Sequence, residues 1–499
     1  MSVVKPNNEI LKHKNMDKNI SALKPQNVWT NFYALTQQPR PSKHEEKVRA
    51  FLVDYAKKHN IDVTVDKTGN VIMRKPATPG MENRKGVILQ AHMDMVPQKN
   101  ADKQHDFLTD PIEAYIDGEW VTANGTTLGA DNGMGVAAAM SVLESDSLKH
   151  GPVEVLITTD EETGMTGAFG LEAGVLKGDI LLNLDSETEG ELYVGCAGGL
   201  DATIALGLDF EATQGVAYKL SLTGLKGGHS GMDIILGRGN ANKLMNRLLL
   251  RLAKKADARL ACLDGGSLRN AIPRESFAVI TVSAGKEADV KAIVDEFFAE
   301  TKAELSAVEP DYTLKCEKTD MPKEALTAAC TARLCNLVYG IPDGVMRMSD
   351  SMPGLVETST NMAIVKIAGK KAEIMCLLRS SVDTAKYDLA AQMQAVVDLA
   401  GAQAEFTGAY PGWKPNMDSP ILHTMREGYK KLFGKEPAVM AIHAGLECGL
   451  MGGVYKNWDM ISFGPTIKHP HSPDEKVNIA SVQKFWDYLV DTLENIPAK

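Results

Sequence analysis

Three short apolar runs in the first part of the chain, Val87–Gln90, Val153–Thr159 and Ile180–Leu184, each lead directly into ionisable side chains. The first delivers His92, the second Glu161 and Glu162, and the third Asp185. Runs of this length read as buried strands. Between the first two lies Gly133–Leu143, a small, apolar, helix-prone segment. Strands alternating with helices predict an α/β layer fold, with a mixed sheet flanked by helices. Polar groups just past strand ends are where such sheets bind ligands, so the pattern constrains both the fold and the place of its site.

Upstream, Ser42-Lys43-His44-Glu45 has the form of a capping box and opens a predicted helix carrying Val48, Phe51, Leu52 and Tyr55 at helical spacing. Ile61–Val65 and Val71–Arg74 read as strands around the turn residues Thr68, Gly69 and Asn70. After about Gly198 the pattern changes. Tyr218–Leu225, Arg259–Leu263 and Phe277–Val282 (strands) combine with Ala241–Ala253 and Asp289–Leu305 (helices). A comparable set runs from Tyr312 to Ala404, including strands Met362–Ile367 and Lys371–Leu378. The expected organisation is a polar, disordered tail over 1–24, in which Met16 is a second candidate start. A catalytic domain follows over 25–198 and 409–499, interrupted by a two-lobed α+β lid over 199–408.

The net charge of −10 argues against a nucleic-acid partner. Seven scattered cysteines with no Cys-x-x-Cys pair argue against a disulfide framework and fit a reducing cytoplasm. No apolar run approaches the ~18 residues of a membrane span, and no membrane partner is expected.

His92-Met93-Asp94 places an imidazole and a carboxylate on one face of extended chain, where Asp94 can orient His92 for a metal; a solvated strand end is the alternative. Asp131, between Gly129 and Gly133, can bridge two cations with its two oxygens or cap the following helix. In Glu161-Glu162, one acid can bind metal while the other serves as a base; taken in isolation, the run reads better as an exposed acidic loop. His471, in Pro470-His471-Ser472-Pro473, competes with His469 as a ligand. Gly227-Gly228-His229-Ser230-Gly231 sets an imidazole on a glycine-rich loop, and Arg379 ends the apolar strand Ile374–Leu378. Cys448, beside Glu447, reads as a packing residue.

Taken together and in order, Gln90 to Val96, Gly129 to Gly133, Thr159 to Glu162, Asn183 to Asp185 and Pro470 to Pro473 resemble the metallopeptidase family of carnosinases, aminoacylases and glutamate carboxypeptidases. Longer stretches, Lys75 to Arg84, Gly224 to Gly231, Leu268 to Arg274 and His443 to Gly449, resemble its dipeptidase branch. The resemblance implies two zinc ions per chain, with cobalt or manganese as substitutes. Asp131 would bridge them, His92 and Asp185 would complete one site, and Glu162 and His471 the other. It further implies Glu161 as general base, Asp94 as orienter of His92, and a cis peptide after Asp131. His229 would stabilise the oxyanion, and Asn270 and Arg379 would bind the substrate. Glu447 is expected to contact the substrate amine or support the site. The implied reaction is hydrolysis of dipeptides with free termini, Xaa-His included, by a metal-bridging water. A homodimer through the lid also accords with the resemblance. An amidohydrolase of N-acyl amino acids is the alternative activity.

Overall fold

The computed structural model describes residues 19–499. Most of the expected tail lies outside the described residues, but its last part is folded. Ile20–Ala22 forms a 3-10 turn, and the Ile20 side chain is fully buried, which a polar average over 1–24 conceals. Among the described residues no helix is long and apolar enough to cross a membrane.

The chain divides into two units. One comprises the residues up to Tyr193 with Asp418–Met440 and Val454–Lys499; the other comprises Val194–Met417 with Ala441–Gly453. The second unit is thus an insertion, wider than 199–408. Its first and last long strands, Gly198–Gly207 and Gln403–Tyr410, pair with each other and bring their flanking residues with them.

The first unit is built on a mixed sheet ordered Asp62–Val65, Val71–Lys75, Val153–Thr158, Val87–His92, Ile180–Asn183, Asp459–Ser462, Glu191–Cys196, Ala438–Ile442. Its centre is parallel: Val87–His92 runs alongside both Val153–Thr158 and Ile180–Asn183, which in turn pairs in parallel with Asp459–Ser462. Every residue of Val87–His92, Val153–Thr158 and Ile180–Asn183 is buried. That explains their unbroken apolar runs, since a strand covered on both faces cannot alternate. The helix Ala130–Glu144 is buried along its length up to Leu143, and its run of small residues lets it lie close against the sheet. Pro420–Phe433 shows how local sequence sets helix ends. The Ser419 hydroxyl accepts from Leu422 N–H at 3.1 Å, proline occupies the first turn, and Gly434 closes the helix at φ 70°. A second, four-stranded sheet joins Ile467–Lys468, Lys476–Asn478, Trp120–Ala123 and Ala114–Asp117. It fixes both ends of the loop that carries His471.

The second unit is built on an antiparallel sheet ordered Thr313–Thr319, Val216–Thr223, Ser276–Val282, Arg259–Gly265, Val356–Ala368, Lys371–Ser380, Gly198–Gly207, Gln403–Tyr410, with Gly344–Met348 also on Val356–Ala368. The two strand sets read as lobes share the sheet at two places: Thr313–Thr319 pairs along its length with Val216–Thr223, and Asp264 and Gly265 pair with Lys366 and Val365. A single hydrophobic core, including Leu248, Phe297, Leu334 and Met393 from four helices, spans both sets.

Candidate metal centre

Strand ends assemble the cluster in the first unit. His92 is the last residue of its strand and 1 % exposed. Its Nε2 lies 3.2 Å from Asp131 Oδ1 and 3.3 Å from Asp185 Oδ1. The other Asp131 oxygen lies 3.2 Å from His471 Nε2, which is also 2.9 Å from Glu162 Oε2. The five expected ligands therefore form two groups, His92–Asp131–Asp185 and Asp131–Glu162–His471, that share Asp131. Glu161 groups with His92 and Glu162.

The packing around this cluster is polar. Asp94, completely buried, has Oδ1 3.3 Å from His92 Nδ1. It also accepts the N–H groups of Glu161 (3.0 Å) and Glu162 (3.2 Å) and the Ser42 hydroxyl (2.8 Å). One carboxylate thus orients the imidazole and fixes the turn bearing both glutamates. Asp160, at φ 52°, makes that turn, and its carboxylate accepts the hydroxyls of Thr163 and Thr166. The peptide between Asp131 and Asn132 is cis, as the resemblance implied. The Asn132 amide donates to Leu184 C=O at 2.9 Å and to Asp185.

The capping box did not form as expected. The helix begins at Glu46, and the Ser42 hydroxyl goes to Asp94 instead. The Glu45 carboxylate accepts Lys43 N–H (2.8 Å) and Asp160 N–H (3.2 Å). A local pattern was overridden by a long-range demand for donors on a buried acid.

Two residues not singled out in the sequence hold the Asp131 loop. Arg40 is buried and donates to the carbonyls of Met93 (3.1 Å), Asp94 (2.9 Å) and Gly129. Glu475 accepts four backbone N–H groups, those of Leu128 (2.7 Å), Gly129 (2.9 Å), Ala130 (2.7 Å) and Asp131 (3.2 Å). Gly129 sits at φ 72°, and a Cβ there would come within 2.5 Å of the Arg40 guanidinium, so only glycine fits. The bracketing of Arg40 by Pro39 and Pro41 was a faint sequence signal; Glu475 had none.

Electrostatics mark the cluster as a place for positive charge. Burial opposes protonation of His92, yet Asp185, Asp131 and Asp94 outweigh it and raise its pKa well above the ordinary value. Hydrogen bonds that its imidazolium donates to Asp131 and Glu162 push His471 up to about 11. Burial raises Asp185 to about 6 despite His92, and raises Glu475 to about 7. Glu162 Oε1 is buried without a hydrogen-bond partner. Two imidazoles presenting Nε2 to carboxylate oxygens, with Nδ1 of His92 turned to Asp94, fit a pair of divalent cations.

In the second unit, the ladder of Gly228 with Ile272 and His229 with Ala271 sets His229 beside the Asn270 segment. Asn270 itself is exposed, and its carbonyl accepts Ser230 N–H at 2.8 Å. His229 Nδ1 accepts the N–H groups of Gly231 (3.2 Å) and Met232 (3.0 Å), which fixes its proton on Nε2. Burial, helped by the Arg379 charge, lowers its pKa and keeps it neutral near pH 7.

Arg379 is buried and donates to Ser230 Oγ (3.3 Å) and Tyr410 OH (3.4 Å). Ser359, Arg379, Gly199 and Tyr410 form one cross-strand row. Because Gly199 has no side chain, the Tyr410 ring can lie over it and reach the guanidinium; a Cβ there would be 2.3 Å from the ring. His443, 2.7 Å from Ser359 Oγ through Nε2, is driven down to about 3 by burial and by Arg379. Glu447 opens the helix Glu447–Val454 and is 2 % exposed.

The sequence profile described as peptidase family M20/M25/M40 matches residues 88–495. The chain belongs to peptidase family M20/M25/M40. Over 96 % of its length it is 50 % identical to 99 % of the cytosol non-specific dipeptidase of Escherichia coli. The crystal structure of an aminoacylhistidine dipeptidase from Vibrio alginolyticus superposes with a TM-score of 0.93 at 52 % identity, covering 96 % of this chain and 98 % of that one. The resemblance to the dipeptidase branch is thereby borne out. An aminopeptidase PepT from Bacillus cereus, 15 % identical with a TM-score of 0.56 over 95 % of this chain and 99 % of its own, shares the fold.

Proposed function

We infer that this chain hydrolyses the peptide bond of dipeptides with free termini, Xaa-His dipeptides among them, in the cytosol. The observation that carries the reading is its half-identity, along nearly the whole length of both chains, to a protein named a cytosol non-specific dipeptidase. The cluster around Asp131 supports it by supplying what a metal-assisted hydrolase needs. The proposed holders are His92 and Asp185 for one cation, Glu162 and His471 for the other, and Asp131 for both. Zinc suits this donor set. Two such cations supply Lewis-acid polarisation of the scissile carbonyl and lower the pKa of a water.

The chain's own residues do the rest. Glu161 is the general base: it takes the proton of the attacking water and returns it to the departing amine. Asp94 holds His92 in the tautomer with Nδ1–H towards Oδ1 and leaves Nε2 facing the cluster. From the second unit, His229 offers a neutral imidazole with its proton on Nε2, the form that can donate to an oxyanion without giving the proton up. Arg379 offers a guanidinium suited to the substrate carboxylate, and Asn270 and Glu447 are proposed as further substrate contacts.

The test is hydrolysis of Ala-His, β-Ala-His, Leu-Gly, a tripeptide and an N-acetyl amino acid, each with and without chelator, together with metal analysis of the purified protein. Chelator-sensitive cleavage of the free dipeptides is expected. Cleavage of the acylated substrate alone would instead make the chain an amidohydrolase.

A further inference from the structure

Glu475 is a buried acid that no ligand or base role uses, yet it makes four hydrogen bonds to backbone. Oε2 accepts from Leu128 and Gly129, and Oε1 from Ala130 and Asp131. With two N–H groups on each oxygen, its acceptor capacity goes to the chain and not to a cation. The four donors are consecutive and end on the residue shared by both cation positions. Glu475 itself belongs to the loop between Ile467–Lys468 and Lys476–Asn478, the same loop that carries His471. Its own carbonyl accepts the Thr122 hydroxyl at 2.7 Å, which anchors that end of the loop to the strand Trp120–Ala123.

We propose that Glu475 is a positioning residue that sets the spacing between the two cation positions, by tying the His471 loop to the backbone of Asp131. The proposal rests on the dinuclear reading of the cluster above. Asp131 and His471 meet at 3.2 Å although 340 positions separate them, and between them no direct chain connection holds that distance. The Glu475 carboxylate is the short link: a few residues of chain lead to His471 on one side, and on the other a direct bond reaches Asp131 N–H. A carboxylate can take four N–H donors, two per oxygen. The amide that replaces it in Glu475→Gln can accept two, and its own N–H groups would press against the others. Glu475→Gln therefore keeps the shape of the side chain and breaks half of the link.

The experiment titrates metal-free wild type, Glu475→Gln and, as control, Asp474→Asn with cobalt(II). It follows heat and visible absorption, and measures the thermal midpoint of each metal-free protein. Wild type and the control should bind two ions. Glu475→Gln should bind one of them at least about tenfold more weakly, with altered absorption bands, the scale typical for lost support of a ligand. Its dipeptide turnover should recover as cobalt is raised.

Wild type binding fewer than two ions would overturn the dinuclear reading itself. Two ions bound by Glu475→Gln with wild-type affinity and spectrum would overturn the positioning role alone. A lowered metal-free midpoint with unchanged binding would do the same, by reducing Glu475 to a structural group. If Glu475→Gln yields no folded protein, Glu475→Asp carries the same comparison, since the shorter acid keeps the charge and cannot reach all four donors.

Discussion

Asp94→Asn isolates what holds the cluster before any cation arrives. The buried carboxylate serves four donors: His92 Nδ1 and Glu161 N–H on Oδ1, Ser42 Oγ and Glu162 N–H on Oδ2. An amide has one acceptor oxygen. Turned one way, its NH2 group faces Glu161 N–H; turned the other, it faces Glu162 N–H, and neither backbone donor can reverse. At least one charge-assisted hydrogen bond is lost, worth ~1.5–3 kcal/mol.

A second route gives a similar figure. Burial works against the charged form of Asp94, but His92 and the other donors outweigh it and hold the pKa at about 2 against 3.8. That depression corresponds to roughly 2.5 kcal/mol of stability at about 1.4 kcal/mol per unit. The folded-state pKa is the lower one, so the contribution is complete above the ordinary aspartate range and is lost as pH falls towards about 2. Urea unfolding of chelated protein at pH 7 should show Asp94→Asn less stable by ~2–3 kcal/mol, with the gap closing in acid. Zinc titration should show affinity weakened by ~10–100-fold. A variant within about 0.5 kcal/mol of wild type, with unchanged zinc affinity, would refute the orienting role.

Glu161→Gln should keep two cations by metal analysis while kcat falls by ~10²–10⁴-fold; near-normal turnover would remove it as the base. His229→Ala should lower kcat by ~10²–10³-fold with little change in thermal midpoint, as for loss of one oxyanion donor. Tyr410→Phe removes the 3.4 Å bond to Arg379. Steady-state kinetics should show it mainly in KM, raised by about fivefold, or ~1 kcal/mol. His92 and His471 are both protonated near pH 7 without metal, with His471 up at about 11. Cation binding should therefore release about two protons and tighten as pH rises. Calorimetry in buffers of different ionisation heat reads that number directly, and release of none would refute it.

The strands that end on His92, Glu161 and Asp185 were legible because a strand buried on both faces writes itself as an unbroken apolar run. The companions of those residues were not. Ser42 looked like a helix cap and serves Asp94; Glu475 gave no signal and is buried under four N–H groups. In both cases the partner lies far away in sequence, and no local period or spacing encodes it. The widened second unit has the same origin, since the pairing of Gly198–Gly207 with Gln403–Tyr410 joins segments some two hundred residues apart. Arg379 was singled out by the resemblance, whereas its contact with Tyr410 depends on an empty place at Gly199 that only the register reveals.

The loop bearing His471 and Glu475 also sets an order of events during synthesis. A ribosome builds the chain from its N-terminus, so His92, Asp131, Glu162 and Asp185 emerge well before the loop that completes their cluster. Until it emerges, the Asp131 segment lacks the carboxylate that takes its N–H groups, and the His471 half lacks its imidazole. The strands Val87–His92, Val153–Thr158 and Ile180–Asn183 and the His92 half are all synthesised early, but the cluster is complete only with the last stretch of translation. Chains released early, or clipped within that hairpin, would be peptidases in sequence and inert in chemistry.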